Sequence, residues 1–449
     1  MKKDVTTYQN YYFIGIGGIG MSALARYFNA QNKSVSGYDR TKTGLTKQLE
    51  AEGIHVTDDE DITEDSLYDL PASNTLVIYS AAFRLDHKLL EIAQDEEFTI
   101  EKRAVVLGDL SKQIPTLAVA GTHGKTTTSA ILTHILKANN LPVTAIIGGI
   151  LKEENTNFIH QGDEVLVVEA DEYDRSFLHL SPENACIIST DADHIDTYST
   201  KNEMNLAFSE FNDKVKKSTF LSADIDLEGI KIGIDNENTP INISNLQVKD
   251  GRFYFDMTLN DQRYQNIFSP LPGKHNVQNT AFALALAQSY QPELMQQFIS
   301  ALDHFQGIKR RFNIVQHSPR QVVIDDYAHH PEAIKAVYTS LREMFPEDEI
   351  AVFFQPHLYS RTQQFEDEFA EVLALFDAVY LLPIYPAREE PIQGVSSLNL
   401  LHKVQLSNKL TIKDSELANF VNVSSERIKA ILGAGDIGQL VESLEKTEL

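Results

Sequence analysis

Residues 116–128 read Thr116-Leu117-Ala118-Val119-Ala120-Gly121-Thr122-His123-Gly124-Lys125-Thr126-Thr127-Thr128. A short apolar run feeds a glycine turn, and an apolar helix pattern follows with Ile131, Leu132, Ile135 and Leu136 on one face. Such a turn points backbone amides at phosphate oxygens. A full P-loop would place its first glycine at 119, where Val119 stands, so this turn is a shorter version. Gly121, Thr122, His123, Gly124, Lys125, Thr126 and Thr127 are the expected triphosphate cradle. Lys125 is expected at the β and γ phosphates and Thr126 on Mg²⁺. Three threonines at a helix start are poor helix formers, and they suit ligand binding better than packing.

The same grammar recurs on both sides of this stretch. Short apolar runs at 11–14, 34–38, 75–79, 165–168, 185–188, 321–324, 350–354, 378–382 and 428–432 alternate with helical patterns. That alternation predicts an α/β chain of parallel sheets covered on both faces. Most runs end in polar or glycine-rich residues, and ligands of open α/β sheets bind beyond the carboxyl ends of strands. Residues 229–270 differ: Asp250-Gly251, with Phe253 and Phe255 alternating after it, predicts hairpins. A helix is expected over 332–345, with one apolar stripe. The 449 residues exceed a single core and suggest about three domains. The boundaries read as 1–109, 110–308 and 309–449.

Composition narrows the class. Lys plus Arg is 39 and Asp plus Glu is 64, a net charge of −25 that opposes nucleic-acid binding. An anionic small substrate is still compatible, through a local cationic pocket. No apolar run is long enough to span a bilayer, and the start lacks a signal-peptide pattern, so a cytoplasmic location without membrane insertion is expected. The single cysteine, Cys186, sits in an apolar run and reads as a small core residue. The acidic run 58–61 reads as a solvated loop.

Further motifs carry chemistry. Gly15, Gly17 and Gly20 form G-x-G-x-x-G, with Gly18 inside it, and Asp39 follows 19 residues after Gly20. The motif suits a diphosphate-linked nucleoside, with NAD the commonest answer, and Asp39 suits a ribose hydroxyl. Ser80 closes another strand of this region. Glu169 ends the 165–168 run, where an Mg²⁺-holding acid belongs. At least two of Asp171, Glu172, Asp174 and Asp193 are expected to be solvated loop charges. His194 is an unexpected Mg²⁺ ligand on chemistry alone, and a surface hydrogen-bonding role competes. His275, Asn276 and Asn279 at a helix start either cap that helix or read an adenine edge. Arg310 and Arg311 concentrate positive charge in an acidic chain, and bidentate arginine suits phosphate or carboxylate. Tyr327 and His329 follow one strand and Arg361 the next, at equivalent places.

Taken together, GIGGIGMSALA, GTHGKTTT, EADEYDRSFLHL, ADHIDTY, KRRF, DDYAHHP and FQPHLYSRT resemble the Mur ligases of bacterial cell-wall synthesis over nearly the whole chain. The resemblance implies Rossmann-like N- and C-terminal domains around a central P-loop-type ATPase domain, and it reassigns the first glycine motif from NAD to a UDP-sugar. It implies ATP- and Mg²⁺-dependent amide formation between UDP-N-acetylmuramate and L-alanine through an acyl phosphate. It further implies Thr126, Glu169 and His194 as metal ligands, Lys125 on the phosphates, and His275, Asn276 and Asn279 on adenine. Arg310 or Arg311 falls to the γ-phosphate, Tyr327 and His329 to the amino-acid pocket, and Arg361 to the amino-acid carboxylate. His329 is the candidate acceptor of the amine proton. The rival reading is a ligase that returns a murein tripeptide to the same sugar, and FQPHLYSRT favours the alanine-adding branch. Leu358 departs from the arginine found in many relatives. A monomer or weak homodimer is expected.

Overall fold

The computed structural model describes residues 4–58, 67–81, 83, 86–191, 198, 200–387 and 389–445. His194 and Asp193 lie outside the described residues, as does most of the 58–61 acidic run. Of that run, Asp58 is described and pairs with Lys42 at 2.8 Å. The strands form three sheets. The first holds β1 (Asn10–Ile14), β2 (Ser34–Tyr38), β3 (His55–Thr57), β4 (Thr75–Tyr79) and β5 (Thr99–Lys102). Its order is β3-β2-β1-β4-β5, all parallel. Tyr11, Phe13, Leu76 and Ile78 bury on one face, and Tyr12, Ile14 and Val77 on the other. These are the near-continuous apolar runs of a doubly covered sheet.

The second sheet holds β6 (Thr116–Ala120), β7 (Val143–Leu151), β8 (Thr156–His160), β9 (Val165–Ala170), β10 (Asn184–Ile187), β11 (Ser218–Ser222), β12 (Ile230–Ile234), β13 (Ile241–Lys249), β14 (Arg252–Leu259) and β15 (Gln262–Ser269). Its order is β15-β14-β13-β12-β11-β10-β6-β9-β7-β8. β6 is central, flanked in parallel by β9 and β10. Asp250 and Gly251 both take positive φ between β13 and β14, the conformation a tight two-residue hairpin needs. Phe253 and Phe255 are buried beyond it.

The third sheet holds β16 (Asn313–His317), β17 (Val322–Asp326), β18 (Ile350–Phe354), β19 (Ala378–Leu381), β20 (Lys409–Thr411) and β21 (Ile428–Leu432). Its order is β16-β17-β21-β18-β19-β20, and the β16–β17 pair is antiparallel. The helix Pro331–Met344 joins β17 to β18 and buries Ile334, Val337 and Leu341.

The packing groups into two compact units. One comprises Met1–Asn245, Asp256–Ile267 and Gln278–Phe305; the other comprises Leu246–Phe255, Phe268–Val277 and Gln306–Leu449. The first unit contains the whole first sheet and the core of the second. A single buried cluster explains this, because it runs from Tyr11 and Phe28 through Leu166 and Val168 to Phe208. Cys186 is buried in the same unit, and desolvation raises its thiol pKa well above the ordinary value. Among the described residues no helix is long and apolar enough to cross a membrane.

Candidate active site

Each glycine turn caps a strand at its carboxyl end. After β6, Gly121 and Gly124 take φ of +133° and +82°, and the helix Lys125–Ala138 begins at once. Position 124 needs glycine twice over. The backbone is left-handed there, and an added Cβ would sit 2.4 Å from Asn279 Oδ1. Asn279, buried on the helix Lys274–Tyr290, therefore stands against this turn. Ser189, just past β10, braces it from the side. Its hydroxyl accepts the His123 amide at 2.9 Å and lies 3.0 Å from Thr122 Oγ1.

Lys125 does not project freely from this cradle. Its Nζ donates to Gly121 O at 2.7 Å and to both oxygens of Glu172, at 2.9 and 2.7 Å. Glu172 is fully buried, and its own carbonyl accepts from the Tyr198 hydroxyl at 2.8 Å. Burial disfavours the charged ammonium, but the Glu172, Asp171 and Glu169 carboxylates outweigh that effect and raise the Lys125 pKa. Glu172 is thus no solvated loop charge. Asp174 fits that expectation better, exposed and paired with Lys102 at 3.1 Å.

Glu169, at the end of β9, gathers hydroxyls and an amide. Thr126 Oγ1 donates to its Oε2 at 3.1 Å, and Ser129 Oγ to its Oε1 at 3.0 Å. The Gly148 amide donates to the same Oε1 at 2.6 Å. Thr126 and Glu169 offer adjacent hard oxygen donors, the set that Mg²⁺ prefers.

At the first sheet, the Gly15 and Ile16 amides bond to Tyr38 O at 2.7 and 3.0 Å. Gly18 caps the helix Ile19–Ala30. The Asp39 carboxylate accepts the Gly17 amide at 2.8 Å and the Thr41 amide at 3.0 Å, so it shapes the glycine turn itself. A Cβ at Gly20 would meet the Arg103 guanidinium at 2.8 Å, which brings a cation to the helix start. Ser80 ends β4, and its carbonyl accepts from the Phe83 amide at 3.0 Å. The Phe83 ring packs so closely on Gly15 that an added Cβ would lie 2.4 Å from it.

In the second unit, Tyr327, His329, His357 and Arg361 form one constellation. The Tyr327 and His329 rings are 5.2 Å apart, and the His329 and His357 rings 6.0 Å. Arg361 lies 3.4 Å from His357 Nδ1. His329 Nδ1 contacts Tyr327 O at 2.8 Å. Desolvation first and the Arg361 charge second lower the His329 pKa to about 3, so its imidazole is neutral. The same causes lower His357 to about 4. Arg310 and Arg311 both lie over the Tyr327 ring, at 5.5 and 5.3 Å. Arg310 also donates to the carbonyls of Gly433 and Gly435. Asp326 accepts the Phe312 and Ala328 amides at 2.6 and 2.8 Å. Burial raises its pKa, against the opposing pull of Arg311 and those amides. His275 lies in the first turn of the helix Lys274–Tyr290, and the Asn276 side chain donates back to Pro272 O at 2.7 Å.

Sequence reasoning missed Glu172 as the Lys125 partner, Ser189 as a brace and Arg103 beside Gly20. It quoted Glu172 inside a motif, but only long-range packing brings that carboxylate to the lysine.

Three family models match along the chain: "Mur ligase family, catalytic domain" over 10–114, "Mur ligase middle domain" over 119–287 and "Mur ligase, glutamate ligase domain" over 310–437. The chain belongs to the Mur ligase family. Among curated Mur ligases, the UDP-N-acetylmuramate–L-alanine ligase of Christiangramia forsetii is 45% identical, covering 100% of this chain and 99% of its own. That of Porphyromonas gingivalis is 37% identical over 96% of this chain and 97% of its own. The crystal structure of the UDP-N-acetylmuramate–alanine ligase of Thermotoga maritima superposes with a TM-score of 0.83 at 28% identity, covering 98% of this chain and 99% of that one. A murein peptide ligase from Psychrobacter arcticus shares the Mur ligase fold at a TM-score of 0.69 and 19% identity.

Proposed function

We infer that this chain joins L-alanine to the lactyl carboxylate of UDP-N-acetylmuramate with ATP, in peptidoglycan synthesis. One observation carries the reading: 45% identity, end to end, to a ligase of that name. A free carboxylate is a poor electrophile. Its oxygen attacks the γ-phosphorus of ATP, ADP leaves, and an acyl phosphate results. The alanine amine then adds to the acyl carbon, and phosphate departs with the former carboxylate oxygen.

The residue roles follow from chemistry and position. Gly15, Gly17, Gly18 and Gly20 present amides to the UDP diphosphate, and Asp39 and Ser80 border that turn. Gly121, Thr122, His123, Gly124 and Thr127 cradle the triphosphate. Lys125 exchanges part of its Glu172 pairing for phosphate oxygens. Thr126, Glu169 and His194 hold Mg²⁺, which supplies charge neutralisation among three anionic groups. Asn279, with His275 and Asn276 one turn earlier on its helix, reads adenine. Arg310 or Arg311, both held over the Tyr327 ring, is proposed for the γ-phosphate. Arg361 takes the alanine carboxylate, with Tyr327 lining the pocket. His329 is proposed to accept the amine proton. With its pKa held near 3 by desolvation first and Arg361 second, it is a weak base as it stands, and the role requires both causes to be relieved when substrate binds. A monomer or weak homodimer working in the cytoplasm is proposed.

The test is phosphate release with ATP, Mg²⁺ and UDP-N-acetylmuramate, plus either L-alanine or the murein tripeptide. Release with alanine is expected. Release with the tripeptide alone would replace this reading by the recycling one.

A further inference from the structure

The hairpin β7–β8 meets Glu169 on one side and the start of the Ile19–Ala30 helix on the other. At one point the Gly148 amide donates 2.6 Å to Glu169, the carboxylate that also accepts from Thr126. The approach is so close that a Cβ at Gly148 would lie 2.6 Å from Glu169 Oε2. Across the hairpin stands Asn157, which is fully buried. Its Nδ2 donates to Ile19 O and, at 3.1 Å, to Ser22 Oγ. Its Oδ1 accepts from Arg26. Ile19 and Ser22 form the first turn of the helix that opens at the Gly15–Gly20 motif. Arg26, also buried, braces the far side of that helix through a two-pronged pair with Glu52, at 2.7 and 2.8 Å. The hairpin register shifts between Ile146 and Leu151, so Gly148 and Asn157 share one irregular segment. An ordinary ladder would satisfy that backbone without reaching either site.

We propose that Asn157 is a positioning residue: through the β7–β8 hairpin it fixes the diphosphate-binding helix start relative to the Glu169 carboxylate. The inference rests on the reaction read above. The sugar-borne carboxylate must meet the γ-phosphate of a nucleotide held on a different sheet. Catalysis by proximity tolerates little error, and a displacement of about 1 Å can cost about a hundredfold in rate. Asn157 suits the task because it uses both its donor and its acceptor on a single helix. A purely apolar contact at this place would bury the same area but would not fix the sliding register of that helix.

The deciding variant is Asn157→Asp, isosteric with the native residue. It keeps an acceptor for Arg26 and loses the two donated bonds to the helix start. Steady-state kinetics with ATP, UDP-N-acetylmuramate and L-alanine are read well below the melting temperature. A kcat lowered about ten- to a hundredfold, with both nucleotide KM values unchanged, is expected. An unchanged kcat, or a change confined to the KM for the UDP-sugar, would overturn the proposal. If Asn157→Asp fails to fold, Ser22→Ala decides, since it removes one bond of the same set. A smaller loss of kcat is then expected, and wild-type kcat overturns. An unmodified enzyme inert towards all three substrates would instead refute the reaction itself.

Discussion

Lys125 shows how much a single residue is asked to do. It is a partly buried cation whose pair with the fully buried Glu172 is both electrostatic and geometric. Removing one partner of such a pair leaves an uncompensated buried charge, at a cost of about 3–5 kcal/mol. Lys125→Ala should therefore lose stability as well as turnover, and turnover should fall about 10²–10³-fold or more. The two effects separate in Lys125→Ala/Glu172→Gln. That double variant should recover most of the stability in denaturant unfolding while staying inactive in phosphate release. Recovered turnover would contradict the phosphate role. The histidines give a second residue-scale test. His329 and His357 are lowered to about 3 and about 4, from an ordinary value near 6.5. Between those limits the unfolded chain binds more protons than the folded one, so stability falls as pH drops from about 6.5 towards 4. The melting temperature should fall between pH 7.5 and pH 5, and the fall should be smaller in His357→Asn.

At the scale of elements, the strand-turn-helix units carry the site. Gly124→Ala places a left-handed alanine against Asn279, at a backbone cost of about 1–2 kcal/mol. Lower unfolding stability and weaker ATP use are expected, and a variant with native values for both would show that the turn is not a cradle. Elements of this kind were legible in the sequence because their signals are local. The run 116–120 is a strand in full, and the hairpin at Asp250-Gly251 forms as its turn chemistry requires. The helix expected over 332–345 begins at Pro331 and ends at Met344, a shift of one residue. β17 runs on to Asp326, past the expected end at 324, because Asp325 and Asp326 pair with Ile431 and Leu432. The β7–β8 hairpin escaped notice. Its first strand contains Gly148-Gly149, which reads as a break, and its value lies in contacts with Glu169 and the Ile19–Ala30 helix that no local pattern encodes. Glu172 was hidden for the same reason.

At the scale of the whole molecule, three sheet-bearing stretches pack as two compact units. The expected boundary near 110 joins stretches that share one continuous core, since Tyr11 and Val168 belong to the same buried cluster. Ligand binding should stabilise the folded chain by mass action. A non-hydrolysable ATP analogue at about 100 times its Kd adds about 2.7 kcal/mol, read as a rise in melting temperature. Chelating Mg²⁺ should cancel most of that rise, and an equal rise with and without the ion would remove Thr126 and Glu169 from the metal role. The reaction as a whole reduces to one transfer of oxygen. UDP-N-acetylmuramate labelled with oxygen-18 in its lactyl carboxylate can be turned over with ATP and L-alanine, and the released phosphate weighed by mass spectrometry. One labelled oxygen in each phosphate is the expected result, because the acyl phosphate breaks with that oxygen on phosphorus; phosphate free of label would contradict activation of the carboxylate by ATP.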